Sequence, residues 1–100
     1  MARNKFIYLA NSASDAAYIN VDRIHDIEVN SATEVIINYK LNDNADGTTA
    51  LVVTTGKAAQ VVKDLAALIT TGQDQVITVA DDVNSIYMAN VTGTGAVGHS

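Results

Sequence analysis

Ala58, Val61, Val62, Leu65, Leu68 and Ile69 recur at intervals of three and four residues, the spacing that draws one apolar stripe down a helix. Lys57, Gln60, Lys63 and Asp64 fill the opposite side. Thr54 or Thr55 can cap the amino end and Gly72 can supply a left-handed stop, so the pattern predicts a helix over 56–71. The other apolar runs are short and rich in Val, Ile and Thr, residues that suit pleated sheet. One helix must therefore share its core with five or six strands. A chain of 100 residues can build a single core from these parts, so a β-dominated α+β fold is expected.

The strands differ in how plainly they read. Phe6–Ala10 is a short apolar run ending in the loop-forming Asn11-Ser12-Ala13-Ser14-Asp15, and is predicted as a strand at a sheet edge. Between Ala17 and Val29 the alternation of Ile19 and Val21 slips by one at Asp22-Arg23, before Ile24, Ile27 and Val29 resume it. Such a slip predicts a bulge or tight turn between two strand pieces. Thr33–Leu41 sets Val35, Ile37, Tyr39 and Leu41 on one face, and Ala50–Thr54 returns. With a reversal predicted at Asp46-Gly47, residues 33–54 make the clearest hairpin. Val76–Ala80 and Ile86–Val91 are the last strands. The predicted core is Ile7, Ile19, Val21, Ile27, Val35, Ile37, Leu51, Val53, Val61, Val62, Leu65, Leu68 and Ile77. A single domain is expected over 1–92, with 93–100 a flexible Gly-rich tail.

Composition constrains function mainly by exclusion. Eleven acidic residues against six basic ones give a net charge of −5, a field that repels nucleic acid and anionic membranes. The cations Arg3, Lys5, Arg23, Lys40, Lys57 and Lys63 are scattered singly. With no cysteine there is no disulfide framework, thiolate nucleophile or Cys-held metal. Five apolar residues after the first five are too few for a signal-peptide core, and no run approaches bilayer length. A soluble protein is expected, cytoplasmic or virion-associated, with no cofactor and no small-molecule substrate.

Candidate chemical motifs each have a simpler structural reading. Gly93-Thr94-Gly95-Ala96-Val97-Gly98 spells G-x-G-x-x-G, but too little chain follows for the helix that a dinucleotide site needs. Asn42–Gly47 has a calcium-loop flavour, yet a calcium loop aligned on Gly47 would carry Val53 where a bidentate Glu belongs. A hairpin loop is the better reading. His25 beside Asp26 and Glu28 could form a base with a carboxylate, although no nucleophile accompanies it. Asp81-Asp82 reads as turn punctuation rather than an acid–base pair. There is no P-loop, G-x-S-x-G or H-E-x-x-H pattern. No catalytic, cofactor-binding or metal-binding residue is assigned, and an enzyme is not expected.

Val35-Ile36-Ile37, Leu51-Val52-Val53 and Ile86-Tyr87-Met88 are apolar on both strand faces, more than one helix can cover. Self-association would cover the remainder, so a homo-oligomer is expected. The order of Ile19–Glu28, a Thr-led strand, an Asp-Gly turn, a strand and a helix is similar to small β-barrels of the Sm-like kind over residues 17–70. That resemblance implies a curved antiparallel sheet or a small barrel of five to six strands. In composition (acidic, rich in Asn and Thr, free of Cys and Trp) the chain resembles short open reading frames of marine phages, which implies a virion or phage-encoded role. The leading expectation is a non-catalytic, self-associating structural or interaction module. The alternative is a nucleic-acid-binding small barrel, with Arg23, Lys40, Tyr18 and Tyr39 as contacts.

Overall fold

The computed structural model describes residues 5–41, 45–70, 76–95 and 97. Its strands are β1 (Phe6–Ser12), β2 (Asp15–Asn20), β3 (Ile24–Ser31), β4 (Glu34–Lys40), β5 (Asp46–Val53), β6 (Val76–Asp81), β7 (Ile86–Tyr87) and β8 (Val91–Thr94), with the helix α1 at Ala58–Thr70. The strands form two four-stranded sheets, ordered β2-β1-β6-β7 and β3-β4-β5-β8. The fold is therefore β-dominated with one helix, as the hydrophobic periods require. The barrel expected from the Sm-like resemblance is not formed: among the described residues the strands divide between two open sheets and do not close on each other. Nor is every pairing antiparallel. The chain returns from α1 into the first sheet, where β6 runs parallel to β1.

Two corners carry the chain from one sheet to the other. At the first, β2 ends at Asn20, whose side-chain carbonyl accepts from the Asp22 N–H at 2.8 Å and starts a 3-10 turn, Val21–Arg23. Directly after it, Ile24 faces Tyr39 and Asp26 faces Asn38, so His25 is an extra residue in β3. This bulge keeps both Ile24 and Ile27 turned toward the core, and it accounts for the slip in the sequence alternation. At the second corner the run predicted as one strand, Ile86–Val91, is cut in two. Asn90 takes a left-handed φ of 68°, and β7 and β8 join different sheets. That conformation is open to Asn but unreadable from an apolar pattern.

The predicted edge strand Phe6–Ala10 is instead central, flanked by β2 and β6. The hairpin of β4 and β5 is found where expected, with Lys40 opposite Asp46. Asp46-Gly47, however, opens β5 rather than forming the reversal. Gly47 has another reason to be glycine. A Cβ there would stand 2.6 Å from Tyr39 Cε2 and 2.7 Å from Leu41 Cδ2.

α1 buries Ala58, Val61, Leu65 and Ile69, with Val62 and Leu68 half-buried, and it packs on the β3–β4 side of the second sheet. β6, β1 and β7 come against β8 at that sheet's other side. One apolar cluster results, spanning both sheets and the helix. Of the predicted core only Ile27, Val62 and Leu68 are less than fully buried, while Leu9, Tyr39, Ile69, Val79 and Val91 join it. The predicted stop at Gly72 lies outside the described residues. The loose tail drawn from residue 93 begins too early. Gly93 and Thr94 pair with β5, the Gly95 N–H donates to the Ala50 carbonyl at 2.8 Å, and Val97 is buried.

Candidate interaction surfaces

Alternation along β1, β2 and β6 sends Ile7, Leu9, Ile19 and Ile77 inward, and Phe6, Tyr8, Tyr18 and Val76 outward. The outward residues are neighbours by register: Tyr8 faces Tyr18 and Phe6 faces Val76. The rings of Tyr8 and Tyr18 lie 4.8 Å apart at a 42° tilt, a favourable aromatic pairing. Tyr18 is 64% exposed and Val76 52%. This is an aromatic and aliphatic face with solvent above it. The outer face of the second sheet is more polar: Glu28, Glu34, Asn38 and Thr48 share it with Ile36 and Val52.

A groove of 390 Å³ runs between α1 and the start of β3, lined by Val21, Ile24, Ile27, Val62, Ala66 and Ile69 with His25, Asp26 and Thr70. His25 and Asp26 thus meet at one surface, but the remaining lining is almost wholly apolar. Asp26 is the carboxylate in that lining. Among the described residues, no three His, Cys, Asp or Glu side chains form a metal-holding group. Of the calcium-like loop, Asn42–Asn44 lie outside the described residues. Asp46 is paired with Lys40 at 2.6 Å, and that hydrogen bond and charge hold its carboxyl below the usual range.

Asp81 and Asp82 diverge. Asp81 accepts from the Asn84 side chain (3.0 Å) and from the Asn84 and Val83 N–H groups (3.1 and 3.0 Å), and the Asn84 amide above all depresses its pKa. Asp82 accepts from the Tyr87 hydroxyl at 2.8 Å and the Thr94 N–H at 3.4 Å, tying the β6–β7 turn to β8. The same bond to Asp82 raises the pKa of Tyr87. Asp81 is thus occupied in closing the β6–β7 turn, and Asp82 in tying that turn to β8.

The four residues expected to touch nucleic acid do not form one surface. Tyr39 points inward, 1% exposed, its hydroxyl 2.8 Å from Thr49 Oγ1, so it cannot stack on a base. Its place on the Val35–Ile37 face was legible in the alternation. Arg23 Nη1 donates to the Leu41 carbonyl at 2.9 Å, which places it near Lys40. Tyr18 stands on the outer face of the other sheet. Sequence reasoning also missed Lys5, which is buried and whose carbonyl accepts from the Val21 N–H at 3.0 Å. A cation before an apolar run gives no sign of burial. Comparison with family models, with curated proteins and with solved structures finds no match to this chain.

Proposed function

We propose that this protein is a non-catalytic, self-associating structural or interaction module. The outward face of Phe6, Tyr8, Tyr18 and Val76 carries the reading. Four large apolar side chains gathered on a sheet face, two of them more than half exposed, are what an association surface requires. Aromatic residues supply much contact area at small entropic cost, and acidic charges are absent among these four. The polar groups that could carry chemistry have structural places: Asp81 closes the β6–β7 turn, Asp82 ties that turn to β8, Asp46 pairs with Lys40, and His25 fills a bulge. A virion role, suggested by the phage-like composition, is compatible with a module that acts by assembling.

Sedimentation velocity on the wild-type chain and on Tyr18→Glu tests the reading. Wild-type protein is expected to associate at micromolar concentration, and the added charge to shift it toward single chains. A wild-type protein that sediments as single chains throughout would overturn it. Nucleic-acid binding has less behind it, because Tyr39 is buried and Lys40 is engaged by Asp46.

A further inference from the structure

Resting on that reading, we propose the seam through which copies join: β2 of one chain pairs antiparallel with β2 of a second copy about a two-fold axis at Tyr18. Two four-stranded sheets would then become one of eight. The argument starts from the sheet edges. β3 is an edge strand, but it is bulged at His25 and at Asn30, carries Asp26 and Glu28, and has α1 packed along it. β7 is two residues long. β8 is four residues long, with Thr92 an extra residue against β5 and with β6, β1 and β7 against it. These are the devices that keep sheet edges from pairing. β2 carries the least of this among the described residues: the ladder's irregularity, at Asn11, lies on β1, and its one charge, Asp15, stands at its end, where it accepts from the Val97 N–H at 3.2 Å. The strand runs six residues, its consecutive residues pair without a gap, and Ala16-Ala17-Tyr18-Ile19 carries no charge and no proline.

Its hydrogen-bond phase suits the pairing. The Val21 N–H bonds the Lys5 carbonyl, and hydrogen-bonded pairs alternate along an antiparallel ladder. Ile7–Ile19 and Leu9–Ala17 are therefore the bonded pairs, while at Tyr8–Tyr18 and Ala10–Ala16 the β2 main chain turns its N–H and C=O away from β1, on the side where no further strand pairs with it among the described residues. An axis beside Tyr18 sets that residue opposite its own copy, as a bonded pair of the new ladder. The same phase brings Ala16 into the ladder. Asp15 then falls opposite Val21, so no acid meets an acid. Tyr8 and Tyr18 of each copy form a continuous row of four rings across the seam. The arrangement is isologous and closes at two chains.

Backbone amide exchange on the wild-type protein, above and below its association concentration, tests the seam. The Ala16 and Tyr18 amides are expected to be protected in the associated state and to lose that protection on dilution. Ala16→Pro, which removes an outward N–H, and Tyr18→Lys, which puts a charge on the edge, are expected to run as single chains with an unchanged circular dichroism spectrum. Ile86→Lys, on β7, is expected to associate as wild type does. Freely exchanging Ala16 and Tyr18 amides in an associated wild-type protein would place the seam elsewhere and leave self-association standing. Should either variant fail to fold, those amides still decide. A wild-type protein that stays single removes both proposals.

Discussion

Gly47 and Tyr39 show how one position can be fixed by what lies across the strand. Tyr39 is held by burial and by its contact with Thr49, so its ring cannot retreat from a Cβ at Gly47. Gly47→Ala is expected to destabilise the fold by about 1–3 kcal/mol through overpacking, read from urea denaturation. Asp81 is fixed by hydrogen bonds from Asn84 and Val83 that favour its charged form. Its folded pKa lies below its unfolded one, so the stabilisation is present above the ordinary carboxylate range. As pH falls below about 4 the unfolded chain takes up the proton first and stability declines. Urea midpoints measured from pH 7 to pH 3 should show this acid limb, and Asp81→Asn should flatten it. Asp46, paired with Lys40, adds an exposed and salt-screened share of the same sign. At this scale the sequence signalled that Asp81-Asp82 punctuates a turn. It gave no sign of the Gly47 contact, which depends on a register two strands must first establish.

The helix and the central hairpin were legible because each has an unbroken period of its own. Val61, Leu65 and Ile69 fall where the 3.6-residue repeat puts them, and Val35, Ile37 and Tyr39 alternate as a half-buried strand must. Leu65→Ala should cost about 2–5 kcal/mol, since its side chain is fully buried between helix and sheet. The corners were harder. The first announced itself as a slip in alternation near Asn20–Arg23, whereas the second is hidden inside the run Ile86–Val91. What divides that run is the positive φ of Asn90, a backbone state that apolar spacing does not encode. Asn90→Val should therefore lower stability by about 1–2 kcal/mol, and Asn90→Gly should be tolerated, in the same denaturation series.

For the whole molecule, periodicity could fix which residues are inside but not how the strands divide. Leu9, Ala10, Val79 and Ala80 are buried in a β1–β6 pairing that joins segments far apart in the chain, through a parallel contact that no local pattern records. The two-sheet arrangement follows from the corners, and it leaves outward residues on both sheets. Of the two-faced runs noticed in the sequence, Val52 on the second sheet and Ile86 on the first are about half exposed, while the group of Phe6, Tyr8, Tyr18 and Val76 on the first sheet was not singled out there. Candidate chemistry failed to gather because the same topology scatters it: Tyr39 is inside, Tyr18 is outside on the other sheet, and His25 sits in a bulge beside a groove whose lining is mostly apolar. Association is thus the property on which the functional account depends. Light scattering across a dilution series from high to low micromolar concentration measures it directly. We expect a mass of twice the 10.5 kDa chain that falls toward one chain on dilution. A mass of 10.5 kDa at every concentration would contradict the account.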